Sequence, residues 1–326
     1  MKLLYKIIAK LKTANAIFHL FSFGKTKYPF LWKQFCPKIF PWKFRFIIIG
    51  LYFASPLYAD SGHGLVADDF MNTVVNKVNS TFNITGGTVR TNNLFHSFRD
   101  FNLETGEMAD FQGGVNIANI VSRITGANNS WINGTLKSSI AGANLYLFNP
   151  NGVMFGPDAS FDITGSFHVS TADYLRLGEG GIFYADPGQK SLLTSAPVED
   201  FGFLGEKVGT LSFDGTTLSV SEGKDISIIG KNISFTNGAC ISSNIEGQDQ
   251  GGTVVLEADN ISFAGEGEHK IASGIYITST GAGDAGFLEI TAKDISFRDG
   301  AFINSDTEGQ GQGGEVVLNA ENSVSF

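Results

Sequence analysis

Disulfide bonds contribute nothing to the expected fold, because the 326 residues include only two cysteines, Cys36 and Cys240. Cys36 lies in an N-terminal segment that we expect to be removed, so Cys240 is left without a partner in the mature chain. The stability of the mature chain must therefore come from packing.

Charged residues are also scarce, at 17% of the chain, and there are only eight prolines. Glycine and phenylalanine are abundant, with 40 and 29 residues. Helices of soluble proteins usually carry many charged residues on their exposed faces. Many short apolar strands joined by tight glycine turns fit this composition better. The composition therefore predicts an all-β protein.

Acidic residues are absent from the first 59 positions, which hold ten of the 23 basic residues. The remainder of the chain therefore has 13 basic and 32 acidic residues, a formal charge of −19. A surface of this charge repels phosphate groups, so no nucleic-acid partner is expected.

The basic segment ends in a short apolar run at 46–54, and the sequence becomes polar after Ala59. A basic region, an apolar stretch and a small residue at the cut form the order of a signal peptide, here an extended one over 1–59. The run is shorter than the roughly 20 residues that span a bilayer, so a membrane anchor is the less favoured alternative. We expect cleavage after Ala59 and a mature chain that begins at Asp60.

Internal repeats begin past residue 205. Four strings of the type Asn-Ile-Ser-Phe end in phenylalanines that lie 28, 34 and 29 residues apart, at Phe235, Phe263, Phe297 and Phe326. A second string occurs at 251–258 and 313–320, with a degenerate copy at 285–292. Units of this length with alternating apolar residues predict a parallel β-helix, in which stacked strands align their apolar side chains along the axis.

The same patterns divide the chain. Residues 60–185 contain strands without a clean period, and we assign to this region the cap that a β-helix needs to cover its first edge. Residues 186–205 contain two prolines and are expected to form a connecting excursion. Residues 206–326 hold the repeats of roughly 30 residues, incomplete at the C-terminus.

A series of ordered motifs occupies the segment 92–156. They are Asn92-Asn93-Leu94-Phe95-His96-Ser97-Phe98, Phe101-Asn102-Leu103, Val121-Ser122-Arg123-Ile124-Thr125-Gly126, Ile132-Asn133-Gly134-Thr135-Leu136, and the run 142–156 with Asn149-Pro150-Asn151-Gly152 inside it. Over residues 65–185 the chain resembles the two-partner secretion domain, also called the haemagglutination activity domain, at the N-terminus of filamentous haemagglutinins.

The resemblance implies a right-handed parallel β-helix (β-solenoid) with an N-terminal capping region, exported through the periplasm. It also implies a partner, an outer-membrane two-partner-secretion transporter whose periplasmic docking domains recognise this segment. The residues that would form the secretion motif come from the ordered strings and are Asn92, Asn93, Phe98, Arg123, Asn149, Pro150, Asn151 and Gly152. One departure concerns the partner-contact surface: residues 111–116 read Phe-Gln-Gly-Gly-Val-Asn where better-known members carry an Asn-Pro-Asn-Leu string.

The string at 149–152 is a strong turn signal. Pro150 fixes φ for the first corner position, and the pair Asn151-Gly152 tolerates positive φ at the second. Two interpretations stay open, and both can hold. The turn shapes a corner of the β-helix, or it contacts the transporter directly.

No set of residues with catalytic spacing is found. The acidic residues on the two glycine-rich loops of the repeats are Glu246, Asp249, Asp306 and Glu308. A β-helical polysaccharide lyase would need a basic residue near such carboxylates, and a calcium site would need a different spacing, so solvated turns are favoured. His96 and His168 lack a second ligand at metal spacing. We therefore expect no enzyme activity, no metal and no cofactor.

These observations predict a secreted or surface-displayed, filamentous-haemagglutinin-like adhesin, with the N-terminal region as export signal and the repeats as a stalk. Its receptor would be a host, cell-surface or carbohydrate ligand. The alternative is a β-helical carbohydrate-active enzyme that uses the same export module, and a toxin stalk would need an effector domain. Because the sequence stops at Phe326, inside a strand string, we expect a fragment of a longer protein.

Overall fold

The computed structural model describes residues 64–205, 209–267 and 272–326. Within these ranges the chain forms 26 strands and no helix, which confirms the predicted all-β class. No helix in the described ranges is thus long and apolar enough to cross a membrane. The predicted signal peptide and its cleavage site lie outside the described residues.

The strands in the first half of the described chain have at most nine residues, and three strands of the second half have 11 or 12. The first half contains β1 (Leu65–Ala67), β2 (Thr73–Val78), β3 (Thr81–Gly86), β4 (Thr88–Arg90), β5 (Asn93–Phe101), β6 (Met108–Phe111), β7 (Asn119–Ile124), β8 (Ser130–Ile132), β9 (Thr135–Ser138), β10 (Asn144–Phe148), β11 (Val153–Phe155), β12 (Ser160–Asp162) and β13 (Phe167–Ser170). The second half contains β14 (Tyr174–Leu177), β15 (Gly181–Tyr184), β16 (Val198–Gly202), β17 (Thr210–Asp214), β18 (Thr217–Ser219), β19 (Ile226–Ile229), β20 (Asn232–Thr236), β21 (Cys240–Ile245), β22 (Thr253–Ala264), β23 (Gly274–Ser279), β24 (Phe287–Phe297), β25 (Phe302–Thr307) and β26 (Glu315–Ser325).

Most strands belong to parallel ladders that the chain visits in a repeating cycle. Ladder 1 consists of β5, β7, β10, β13, β19 and the first halves of β22, β24 and β26. Ladder 2 consists of β8, β11, β17, β20 and the second halves of the same long strands. Two further parallel sets complete the cycle, β3-β6-β9-β12 and β18-β21-β23-β25. Each cycle therefore pairs its backbone with the cycle before it.

The alternation of apolar and polar residues decides which side chains enter the core. In β20 the side chains of Ile233 and Phe235 are buried, and their neighbours along the strand are half-buried. The parallel register repeats this choice in every cycle, so apolar residues face apolar residues. One inward column of ladder 1 is formed by Leu94, Ile120, Leu145, Phe167, Ile226 and Val254.

A stack of phenylalanine rings runs through ladder 2. The centroids of Phe213 and Phe235 lie 4.6 Å apart, those of Phe235 and Phe263 lie 4.7 Å apart, and those of Phe263 and Phe297 lie 5.0 Å apart. Their ring planes differ by 3° to 8°. These distances match the spacing of neighbouring strands. The predicted alignment of the repeated Asn-Ile-Ser-Phe strings is therefore observed, residue against residue.

Antiparallel strands occur at the N-terminal end of the ladders. Strands β1 and β4 pair with β5 in the antiparallel direction, and β2 pairs in that direction with β3. These strands occupy the edges that the first parallel strands would otherwise expose. Strands β1, β2 and β4 thus line the N-terminal edges of the parallel ladders, which begin at β3 and β5.

A three-stranded antiparallel sheet interrupts the cycle between β13 and β17. We call residues 172–205 the insert; its strands lie in the order β15-β14-β16. A second apolar cluster joins the insert to the outer face of ladder 1. At its centre the Phe183 ring lies 5.2 Å from Phe95 and 5.8 Å from Phe148, in edge-to-face geometry. The insert therefore covers outward-facing apolar side chains of the first cycles.

Candidate functional site

The predicted turn string forms the corner between ladders 1 and 2, and Asn149 lies at its centre. Gly152 N donates to Asn149 O at 3.0 Å, which closes the turn. The buried Asn149 Oδ1 accepts from the backbone N and the Nδ2 of Asn151, each at 3.0 Å. Its Nδ2 donates to Asn128 O at 3.0 Å and to Ser130 Oγ at 3.1 Å. Asn149 thereby connects its own corner to the corner of the preceding cycle.

The positive backbone angle of this corner falls on Gly152 alone, with φ of 118°. The expectation that Asn151 shares a positive φ is wrong, because Asn151 is not among the residues with such an angle. Its role is a hydrogen bond instead: Asn151 Nδ2 donates to Gly126 O at 2.8 Å, in the preceding cycle. A single glycine is enough to turn the chain, which leaves the amide of Asn151 free to bind the neighbouring corner.

The corner is enclosed by its neighbours on both sides. A Cβ atom on Gly152 would lie 2.9 Å from Thr210 O, and a Cβ atom on Gly209 would lie 2.5 Å from Pro150 O. Pro150 and Gly152 are buried, and Asn151 is half-buried. The surface that the corner offers to a partner is therefore small and consists mainly of Asn151.

Asparagine side chains form a row across the start of ladder 1. Asn119 Nδ2 donates to Asn93 Oδ1 at 2.8 Å, and Asn144 Nδ2 donates to Asn119 Oδ1 at 3.1 Å. Asn93 Nδ2 donates to two carbonyl oxygens of the insert, Thr194 O at 3.1 Å and Ala196 O at 2.9 Å. Asn93 therefore fastens the insert to the first cycle of ladder 1.

Arg123 makes a second connection to the insert from the other end of the strands. Its side chain is only 2% exposed. Its Nε donates to Ser97 Oγ at 2.8 Å, and its Nη1 donates to Tyr184 O of β15 at 2.7 Å. The guanidinium carbon also lies 4.7 Å from the centroid of the Phe183 ring. Arg123 thus binds the insert through a hydrogen bond and a cation–π contact.

Two nearby carboxylates favour the charged form of the buried Arg123 side chain. Burial lowers the pKa of Arg123, and the nearby carboxylates of Asp68 and Asp186 oppose this effect. Asp68 Oδ2 accepts from Ser97 Oγ at 2.6 Å and from Thr125 Oγ1 at 2.8 Å. The network therefore joins the cap, ladder 1 and the insert in one set of hydrogen bonds.

Asn92 and Phe98, the other predicted site residues, have backbone and core roles. Asn92 O accepts from Ala118 N at 2.8 Å and from Asn119 N at 3.1 Å. The Phe98 side chain is fully buried, and its ring packs edge-to-face on Phe101 with centroids 5.1 Å apart. The structure thus brings together the four corner residues, places Asn93 and Arg123 against the insert, and leaves Asn92 and Phe98 outside both groups.

The segment that departs from the family string begins with the buried Phe111, the last residue of β6, and continues as a surface loop. Gln112 Nε2 donates to Asn83 Oδ1 at 2.9 Å and to Asp110 Oδ2 at 2.8 Å, which fixes the start of the loop. Val115 is fully exposed at its tip. Residues 113–116 of this segment are exposed, so a change of sequence there alters the surface, whereas Phe111 belongs to the core.

His96 faces the interior of ladder 1. Its Nδ1 lies 3.2 Å from Thr73 Oγ1, and its Nε2 is buried with no hydrogen-bond partner among the described residues. Burial lowers the pKa of His96 to about 4. Ser122, opposite His96 in the parallel register, has a buried hydroxyl that likewise lacks a partner in the described ranges. His96 is therefore a neutral core residue at pH 7.

His168 lies on the outer face of ladder 1. Its ring stacks on Tyr146 with centroids 4.2 Å apart and planes 7° apart. Burial lowers the pKa of His168 to about 4, although the carboxylate of Asp225 opposes the change. Glu246, Asp249 and Glu308 are exposed on loops, as predicted, whereas Asp306 is exposed on strand β25 and the prediction of a loop there is wrong. In the described ranges no three His, Cys, Asp or Glu side chains are grouped so that they could hold a metal ion.

The sequence patterns did not reveal the hydrogen-bond partners that give Asn93 and Arg123 their roles. These partners are Asn119, Asn144, Ser97 and Asp68. The sequence contained a usable signal for the asparagine row, because Asn93, Asn119 and Asn144 lie 26 and 25 residues apart, which is the length of one cycle. Asp68 carried none, because its contacts cross from the cap to ladder 1.

The chain is similar to proteins of one known family. The sequence matches the family model of the TPS secretion domain over residues 63–324. The HMW1 secretion domain from Haemophilus influenzae is 18% identical, with a TM-score of 0.39 and coverage of 78% of this chain and 76% of that chain. The filamentous hemagglutinin secretion domain is 14% identical, with a TM-score of 0.36 and coverage of 81% and 99%. No curated protein matches the chain. Because the family model spans most of the sequence, the chain belongs to the TPS secretion domain family.

Proposed function

We propose that this chain directs the export of a two-partner-secreted adhesin through an outer-membrane transporter with periplasmic docking domains. The family match over residues 63–324 carries this proposal. The signal peptide over 1–59 would start the route across the inner membrane. The product is then secreted or displayed at the cell surface.

The proposed domain organisation keeps a right-handed parallel β-helix as the exported body. The in-register parallel ladders support it, because each cycle pairs with the next from β5 to β26. The proposed division is 60–185 as the secretion domain with its cap, 186–205 as part of a connecting excursion and 206–326 as stalk repeats, although the family model itself continues through the repeats to residue 324. The antiparallel insert supports an excursion at this point of the chain.

The secretion-motif residues are proposed to act first by completing the fold. Their burial supports this role, because the polar side-chain atoms of Asn93, Arg123 and Asn149 form hydrogen bonds with other parts of the chain. Direct contact with the transporter is left to exposed groups near the corner, of which Asn151 is one. A variant at Asn149 would then fail in export because the folded domain is unstable.

An adhesin is proposed over a carbohydrate-active enzyme because the carboxylates of the repeats are exposed to solvent at the surface. Two assays of the secreted protein distinguish the functions. Binding to host cells or immobilised glycans that saturates without substrate turnover is expected. Release of soluble sugar products from polysaccharides, lost on Asp249→Asn, would favour the enzyme instead.

Recognition by the transporter has its own test. The periplasmic docking domains of the cognate transporter, immobilised on a resin, should retain this chain. An unrelated exported β-protein of similar size serves as the control. Equal retention of both proteins would contradict specific recognition.

A further inference from the structure

A step from large to small side chains interrupts one outward column of ladder 1. The parallel register aligns Tyr146, His168 and Ser227 in this column, followed by Val255. The Tyr146 and His168 rings are stacked, but Ser227 carries no ring. In the described ranges, the second face of the His168 imidazole therefore has no ring stacked on it. The column leaves a gap at Ser227.

The insert walls this gap on one side and turns it into a groove. Strand β16 runs beside the column, and the ring of its Phe201 lies 6.4 Å from Tyr146, centroid to centroid. The groove has a volume of about 330 Å³, with His168, Ser227 and Thr253 along the ladder wall. This volume is at the lower end of the range for small-ligand sites, roughly 300 to 1,000 Å³.

The walls of the groove carry negative charge and no positive charge. Glu199 and Asp200 line it from the insert and Asp225 lines it from ladder 1, and none of its lining residues is a lysine or arginine. Arg176 partly offsets the first two carboxylates, since its guanidinium nitrogens lie 3.5 Å from Glu199 Oε2 and 3.3 Å from Asp200 Oδ2. Asp225 receives a hydrogen bond from Thr253 N at 2.8 Å, and no described cation lies within ion-pair distance of it. The groove therefore disfavours anionic guests.

The stacked rings of Tyr146 and His168, which line the groove, add no positive charge at neutral pH. Because burial lowers the pKa of His168 to about 4, its imidazole is neutral at pH 7. A neutral aromatic face beside a carboxylate suits a planar cation, which can stack on the ring and pair with the oxygen atoms. An ammonium group can pair with the carboxylate but cannot stack as a plane.

We propose that this groove binds the guanidinium group of an arginine presented by a partner protein, stacked on His168 and paired with Asp225. The strongly acidic surface of the chain would steer such a basic partner toward it. The proposal does not depend on the export route. It adds a recognition site at the junction of ladder 1 and the insert.

Titration of the full chain with acetyl-arginine methylamide, followed by NMR, tests the proposal. Saturable shifts are expected for the His168 ring and for the amides of Ser227 and Thr253. The equivalent lysine derivative should bind several-fold more weakly, since it lacks the planar stack. A neutral methyl glycoside should leave these signals unchanged.

Two variants assign the binding to the groove. Ser227→Phe should complete the column with a ring of the chain itself and weaken arginine binding by roughly tenfold or more. Asp225→Asn keeps an oxygen that can accept from Thr253 N and removes the charge, so it should weaken binding several-fold. Ser262→Phe is the matched control, because Ser262 lies at an outward position of ladder 2 away from the groove.

Folding of each variant is checked by its thermal unfolding curve, and Asp225→Asn decides the matter if Ser227→Phe does not fold. Unchanged arginine affinity in a folded Ser227→Phe or Asp225→Asn protein would overturn the proposal. So would glycoside-induced shifts of the same signals in the absence of an arginine response, which would assign the groove to a saccharide.

Discussion

At the scale of single residues, buried polar side chains stabilise the corners between the ladders and the contacts of the insert with ladder 1. Asn149 exchanges hydrogen bonds with its own corner and with the corner of the preceding cycle. A typical hydrogen bond contributes a net 0.5 to 1.5 kcal/mol or so, but a buried group left without its partner costs about 1 to 3 kcal/mol. Such residues therefore affect stability more than their exposed counterparts do.

Replacing Asn149 by alanine should lower the free energy of unfolding by about 2 to 4 kcal/mol. The substitution removes the hydrogen-bond partner of Ser130 Oγ and of the backbone N of Asn151. Urea unfolding at pH 7 measures the change, and Asn76→Ala at an exposed position of β2 is the control. Equal unfolding midpoints for the two variants would contradict this account of the corner.

Acid should destabilise the fold through His96. Its pKa is lowered from 6.5 to about 4 by burial, so the unfolded chain takes up a proton at a higher pH than the folded chain. The contribution of His96 to stability is therefore fully present above pH 6.5 and is lost as the pH falls toward 4. From pH 7 to pH 5 the loss from this group should be about 2 kcal/mol.

The variant His96→Leu has no proton to take up at this position. Its free energy of unfolding should therefore fall less between pH 7 and pH 5 than that of the wild type, by the same amount of about 2 kcal/mol. Urea unfolding at both pH values measures the difference. Identical losses in the two proteins would show that His96 is not buried in its neutral form.

At the scale of elements, the insert is the part whose position depends on few polar contacts. Asn93 holds it at one end and Arg123 at the other, with the apolar cluster around Phe183 between them. Among the described strands, β14 to β16 pair only with one another. The insert can therefore loosen while the ladders stay intact.

Arg123→Lys should loosen the insert selectively. Lysine keeps the charge but loses the planar group that reaches both Ser97 Oγ and Tyr184 O. Amide hydrogen exchange in β14 to β16 should accelerate roughly tenfold or more, and exchange in β19 to β24 should stay unchanged. Arg99→Lys is the control, because the Arg99 side chain is largely exposed and pairs with Asp100 away from the insert. Equal exchange in all three proteins would contradict the anchoring role of Arg123.

The elements also show what the sequence could predict and what it could not. The repeated strings ending in Phe235, Phe263 and Phe297 align because a pattern of period two fixes which side chains face the core. The contacts of Asn93 and Arg123 with the insert were not predictable, since they join residues 103 and 61 positions apart. The φ of Asn151 was predicted wrongly, because a pattern of turn residues does not tell which of two neighbours takes the positive angle.

At the scale of the whole molecule, parallel stacking and export make compatible demands. Each cycle adds its strands to the cycle before it, so the ladders can form progressively from the capped N-terminal end. The absence of an internal disulfide framework means that no oxidation step is needed on the way, since Cys240 is the only cysteine in the described ranges.

The most direct test of this account is to follow export in a bacterium that produces the chain with or without its cognate two-partner-secretion transporter. With the transporter, the protein should appear in the medium or at the surface as a form that begins near Asp60. Without it, the processed chain should remain in the periplasm. Equal appearance outside the cell in both strains, or retention of the basic residues of 1–59 in the exported form, would contradict the proposed route.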